Sequence, residues 1–278
     1  MTTQAQTLPG AFIWRRLHSL FGLWLVLFLM EHLLVNSQAG LLLGEGGRGF
    51  VDSVNAIHGL PYLQAIEITL LGVPIFVHMV WGVKYLFTGK FNSSRTDGSK
   101  PSLSYGRNRA YTWQRITSWI LLFLLIGHIA KFRFIEYPHT AEVNGKPIYY
   151  ATVSKDKGLP SVAERLGATI YDREDNFQCV PLTENQVIVA ADNFGTISLF
   201  IVRDTFKSPI YVFFYTIFVL AACFHAFNGL WTFLITWGIL LKYSSQKGGV
   251  KFAIGLMILI AFLGLASIWG TYWTNLRH

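Results

Sequence analysis

Charged residues are scarce in this chain. Asp, Glu, Lys and Arg make up 14% of its 278 residues, against about 25% in soluble globular proteins. A large part of it therefore avoids water. Cysteine is nearly absent: Cys179 and Cys223 are the two present, in very different surroundings. They support neither a disulfide framework nor a cysteine-held iron–sulfur or zinc site. No internal repeat or low-complexity tract is found. The first apolar run lacks a small-x-small cleavage site, exceeds signal-peptide length and carries Glu31 and His32 in its body. It is not a cleaved leader.

Apolar sequence is abundant, 52% hydrophobic and 15% aromatic. Five stretches, near 17–36, 64–87, 114–135, 209–241 and 250–273, reach the roughly 20 residues that cross a hydrocarbon core. The net charge of +8 would suit a nucleic-acid partner, but its distribution argues against one. Lys90, Arg95, Lys100, Arg107 and Arg109 lie between the second and third runs, Arg15 and Arg16 precede the first, and Lys242, Lys247 and Lys251 join the last two. The opposite connections mix Arg48 with Glu45 and Asp52, or lean acidic. The positive-inside rule then places the N-terminus in the cytoplasm and the C-terminus outside. The partner read from charge is a lipid bilayer, with the cytoplasm on its basic side.

The expected organisation has membrane helices I–III in 1–135, an extracytoplasmic insertion in 136–208 and helices IV–V in 209–278. The fold class is an all-α integral membrane protein, a four-helix core plus a fifth helix, with a small β-containing insertion on the outer face. Within the insertion, 141–153 reads as a hairpin with Asn144-Gly145 at its turn, a favoured two-residue connection. A second hairpin is expected over 187–202, turning at Asp192-Asn193-Phe194-Gly195. Residues 92–100 read as a cytoplasmic loop.

Against this background four histidines stand out: His32, His78, His128 and His225, each deep inside a different apolar run. An imidazole at membrane depth is costly and marks a functional site by default. His32 lies 8 residues before Gly40 and His128 lies 10 before Pro138, whereas His78 lies 17 after Pro61 and His225 lies 16 after Pro209. At about 1.5 Å per residue these form two layers, roughly 12–15 Å and 24–26 Å from the outer boundary. His32 with His128 would make an outer pair and His78 with His225 an inner one. Gly82 and Gly229 each follow an inner histidine by four residues, on the same helix face, and leave room for a flat macrocycle. Close helix packing in lipid also favours small residues, though it does not explain the matched offset. Two axial pairs for two haems account for the pattern, with the four histidines as metal ligands. Two histidines on one iron leave no open position, which suits electron transfer.

Arg15-Arg16-Leu17-His18-Ser19, Glu31-His32-Leu33-Leu34-Val35-Asn36, His78 with Gly82, His128, and His225-Ala-Phe-Asn228-Gly229-Leu-Trp231 followed by Thr236-Trp237-Gly238 resemble the di-haem cytochrome b anchor of bacterial succinate:quinone oxidoreductases, of the Bacillus succinate dehydrogenase type. The resemblance covers all five spans. It implies two haem b groups: His32 and His128 would hold the outer haem, and His78 and His225 the inner one. His18 and Ser19 would contact inner-haem propionates. It implies flavoprotein and iron–sulfur partner subunits and a membrane quinone as substrate, menaquinone favoured, reduced near the outer haem. The chain carries no flavin fingerprint and no cysteine cluster, so succinate oxidation would belong to the partners. The insertion 136–208 departs from the usual short connection.

Glu67, near the outer end of span two, is a candidate proton relay at the quinone site, or an interfacial carboxylate. Lys131 and Arg133 are candidates for outer-haem propionates, or snorkel to the interface. His58 suits loop packing. His139 and His278 carry no signal. The sister reading is the anchor of a quinol:fumarate reductase. The reading from a different class is a five-span proton-coupled transporter with a histidine relay.

Overall fold

A computed structural model describes residues 8–40, 46–89, 93, 97–98, 103, 105–143, 145–172, 177 and 182–277. Cys179, Asn144, His278 and most of the 92–100 loop lie outside the described residues. The protein is a multi-pass membrane protein: five helices are long and apolar enough to cross a bilayer, Gly10–Gly40, Leu63–Thr88, Gly106–Ile135, Pro209–Thr236 and Tyr243–Leu276. Helix is the form expected there, because lipid offers no partner to an unpaired backbone group.

The first span is α1 (Gly10–Gly40), followed by the short amphipathic α2 (Arg48–His58). The second span is broken into α3 (Leu63–Ile66), a π-helical turn Glu67–Gly72 and α4 (Val73–Thr88). Pro74 explains the break. It has no N–H for the carbonyl of Leu70 four residues back, and the indole Nε1 of Trp24 donates to that carbonyl instead. The third span, α5 (Gly106–Ile129), also ends in a π-helical turn, Ala130–Ile135. The fourth, α8 (Pro209–Thr236), opens with proline at the first position, where its missing N–H costs nothing. It closes at Gly238, whose φ of 75° is left-handed. There Ile239 N–H reaches Leu234 O at 2.9 Å and Gly238 N–H reaches Ile235 O at 3.1 Å, the paired bonds that terminate a helix on glycine. The fifth span is α9 (Tyr243–Arg277).

The chain divides into two compact units. The first comprises Met1–Met30, Gln64–Leu122 and Ala221–Leu259; the second comprises Glu31–Leu63, Phe123–Leu220 and Ile260–His278.

The insertion belongs to the second unit. Strands β1 (His139–Val143), β2 (Lys146–Ser154), β3 (Thr169–Tyr171) and β4 (Gln186–Ala191) form an antiparallel sheet in the order β1-β2-β4-β3. Val143 pairs with Lys146, which is the two-residue hairpin expected at Asn144-Gly145, and Gly145 is left-handed at φ 74°. The second expected hairpin is not formed. β4 is followed by a helix, α7 (Phe194–Thr205), with Asn193 as its N-cap accepting from Thr196 N–H at 2.9 Å. The β-branched and aromatic residues after Asn193 suited a strand, but the cap and the core decide for helix. Ile197, Phe200 and Ile201 of α7 pack with Val153, Val187, Val189 and α6 (Leu159–Leu166) on one face of the sheet. Tyr150, Ile188 and Phe177 cover the other face.

Candidate functional site

In the first unit, α4 brings His78 and α8 brings His225 to a ring-centre separation of 6.1 Å, with ring planes 83° apart. His78 Nδ1 lies 3.0 Å from the backbone carbonyl of His18 on α1. His225 Nδ1 lies 3.4 Å from Ser118 Oγ on α5, and Ser118 itself donates to Gln114 O at 2.7 Å. Gln114 Nε2 donates to His225 O at 3.0 Å and its Oε1 accepts from Asn228 at 2.8 Å. Four helices thus hold one histidine pair. Asn228, part of the sequence motif, acts through Gln114.

In the second unit, His32 of α1 and His128 of α5 have ring centres 5.9 Å apart and planes 83° apart. His128 Nδ1 lies 3.1 Å from the Tyr215 hydroxyl.

These spacings can be tested against an iron held between the rings. An imidazole nitrogen sits about 2.0–2.1 Å from a transition metal and about 1.1 Å from its own ring centre, so two axial rings have centres roughly 6.3 Å apart. Both pairs match. Metal-bound histidines also give their second ring N–H to a carbonyl, hydroxyl or carboxylate, and His78, His225 and His128 have such a partner at Nδ1, which leaves Nε2 for a metal. Among the described residues no three or more His, Cys, Asp or Glu gather. Each pair therefore offers two imidazole nitrogens, a donor set that would fit a planar macrocycle.

The glycines sort the same way. A Cβ at Gly82 would meet His18 Cε1 at 3.8 Å, and one at Gly229 would meet Gln114 Nε2 at 3.7 Å, both ordinary contacts. Close helix packing does not demand glycine at either position. It does at Gly264, where a Cβ would lie 2.7 Å from Val219 and 3.2 Å from Leu33. Gly22 was missed by sequence reasoning. A Cβ there would stand 3.0 Å from His78 Cε1 and 3.3 Å from Nδ1, so glycine is what lets the imidazole lie against α1. Its signal was present, four residues after His18.

His18 stacks on His78, with ring centres 4.0 Å apart and planes 9° apart. Its Nδ1 and the Nε1 of Trp81 are buried with no hydrogen-bond partner among the described residues. Lys84 lies 4.5 Å over the Trp81 ring. Ser19 spends its only donor on Arg16 O at 3.0 Å and accepts from Trp237 Nε1 at 2.9 Å. Arg16 donates to Thr236 O and lies 5.1 Å over Trp237. Two separated motifs, Arg15–Ser19 and Thr236–Gly238, are thereby one contact.

Glu67 begins the first π-helical turn and belongs to the first unit. Lys131 is buried and paired with Glu136, and lies 4.5 Å over the Tyr211 ring. In an α-helix residues five apart diverge by about 140°. The i+5 bond of a π turn sets them together, here as Glu136 N–H to Lys131 O at 2.7 Å. Arg133 lies over Tyr137 at 4.7 Å. His58 stacks on Phe194 of the insertion at 4.0 Å, the packing role expected of it. His139 packs at 5.4 Å from Tyr150.

One ion cluster secures the insertion. Arg203 grips Asp156 with two bonds of 2.6 and 2.7 Å, and Lys207 adds a third contact at 2.8 Å. Burial alone would raise the Asp156 pKa, but hydrogen bonds from Arg203 and Lys207 hold it well below the usual carboxylate range.

No protein-family profile and no solved structure matches the chain. It is 27% identical over 258 residues to the succinate dehydrogenase cytochrome b558 subunit of Bacillus subtilis (strain 168), covering 92% of this chain and 95% of that protein. The likeness first read from the motifs thus extends over nearly the whole chain, to the cytochrome b anchor of the Bacillus-type succinate dehydrogenase.

Proposed function

We propose that this chain is the cytochrome b membrane anchor of a succinate dehydrogenase, taking electrons from an iron–sulfur subunit and delivering them to a membrane quinone. One observation carries this reading: two histidine pairs, each at the ring spacing of an axially ligated iron. In it His78 and His225 would hold one haem b, and His32 and His128 the other. A haem held by two such histidines would supply one-electron transfer. The chain's own work is to hold and orient. His18 O, Ser118 and Tyr215 fix the ligand rings through Nδ1. Gly22, Gly82 and Gly229 make room. The buried, unmatched donors of His18 and Trp81, with Lys84 beside them, suit the propionates of the His78–His225 haem better than Ser19, whose donor is already used.

The N-terminus lies in the cytoplasm, the basic 90–109 segment faces the soluble partners and the insertion lies outside, in keeping with the positive-inside rule. Glu67 serves as a proton relay to the quinone. The π-helical turn it opens is a feature frequent at functional sites.

The test is a reduced-minus-oxidised spectrum and haem count of the purified complex, followed by turnover. Two b-type haems per chain and succinate-driven quinone reduction are expected. Absence of b-type bands would replace this reading with the proton-coupled transporter. Fumarate reduction much faster than succinate oxidation would favour the fumarate reductase anchor. Glu67→Gln should slow quinone turnover and leave both haem spectra unchanged. A cysteine placed by Asp97→Cys should label only from the cytoplasmic side.

A further inference from the structure

We infer that Tyr215 is a positioning residue for the His32–His128 site, acting through His128 to set the redox potential of that haem alone. The inference rests on the di-haem reading above.

Tyr215 sits on α8, and its hydroxyl lies 3.1 Å from His128 Nδ1. A neutral imidazole that gives Nε2 to iron carries its proton on Nδ1. The bond therefore runs from His128 Nδ1–H to the phenol oxygen. Rings hold Tyr215 in place: Phe206 at 5.3 Å, Phe218 at 5.9 Å and Phe132 at 6.2 Å, all edge-on. Phe132 and Phe218 also pack on His128, at 5.3 and 5.5 Å. Ligand and phenol share one aromatic box, so neither ring turns without moving the other.

An acceptor at the distal N–H makes the ligand more basic. A more basic ligand favours ferric iron and lowers the potential. The His78–His225 site uses different acceptors for the same purpose, a backbone carbonyl and a serine hydroxyl. No substitution of Tyr215 removes those. The two sites thus have separate acceptors, and the Tyr215 phenol is the one placed at His128.

The experiment is a potentiometric titration of the intact complex carrying Tyr215→Phe, followed optically and by low-temperature electron paramagnetic resonance. Phenylalanine keeps the ring in its box and removes only the acceptor. The component lost in His128→Ala should titrate at higher potential. The expected change in its ferric-to-ferrous ratio is roughly threefold to tenfold at fixed ambient potential, tenfold being about 59 mV for one electron. Its low-spin ferric signal should shift, and the other component should not move. Two unmoved potentials, or equal shifts in both, would overturn the role of Tyr215. Ser118→Ala is the opposite arm: it should move only the component lost in His225→Ala. If both variants move the same component, the assignment also fails. A wild-type complex without b-type bands would instead refute the di-haem reading itself.

Discussion

The two histidine pairs have nearly the same internal geometry, 5.9 and 6.1 Å between rings and 83° between planes, yet opposite surroundings. His78 and His225 stand among polar groups: a stacked histidine, a backbone carbonyl, Ser118, and a Gln114–Asn228 pair that ties α5 to α8. His128 stands among Phe132, Phe218 and Tyr215, with one hydrogen bond. A polar cluster inside an apolar bundle is costly wherever a group lacks a partner, as His18 Nδ1 and Trp81 Nε1 do among the described residues. An aromatic box asks only for shape. The same ring spacing is thus reached with two different means of holding it.

The largest effects should come from the ligands. His78→Ala or His225→Ala should abolish one spectral component, and His32→Ala or His128→Ala the other, each without loss of its counterpart. Loss of the same component from His78→Ala and His32→Ala would break the comparison at its root.

Next is Asp156→Asn, which acts in the second unit only. It leaves Arg203, with an 8% exposed side chain, without its ion partner, a change that costs on the order of 3 kcal/mol. The insertion should become protease-sensitive at neutral pH while the His78–His225 component keeps its spectrum. Acid resolves the same contact in the unaltered protein. The native carboxyl sits below its unfolded value, about 3.9, so its contribution is complete above that pH and lost only as pH falls through the depressed native value. Proteolysis of the unaltered insertion at pH 5 should match that at pH 7.

The smallest effect should come from Gly22→Ala. The new methyl presses on His78 at 3.0 Å, and strain of this kind costs about 1–3 kcal/mol. The spectrum of the His78–His225 component should broaden or shift while the His32–His128 component stays as it was. Changes in both would show that the two sites are not separable.

Much of this was legible in the chain itself. The five spans were visible as apolar runs because lipid demands them, and α1 and α5 exceed those runs, starting at Gly10 and Gly106, because helices continue through polar residues into the interface. The histidine partners followed from depth alone, since each pair must reach one plane. Gln114, Ser118 and Tyr215 were not legible as site residues. Polar side chains near span ends are common, and only the packing of α5 against α8 shows which of them face a histidine. The π-helical turns were equally hidden: Pro74 marks one, but nothing local announces Ala130–Ile135. Asn193 followed by Thr196 could have signalled a helix cap at α7. The β-branched run after it argued the other way, and only the buried core over the sheet decides between them.

One bond bears on how such a protein is made. Asn275 of α9 donates to the backbone carbonyl of Arg203 at 2.9 Å, joining the fifth span to the insertion's ion cluster. Translation at about 5–20 residues per second delivers residue 203 several seconds before residue 275. During that interval the bond from α9 is not available to the nascent insertion. The final fastening of the insertion therefore reports completion of the membrane bundle, since it can close only after the fifth span has been synthesised.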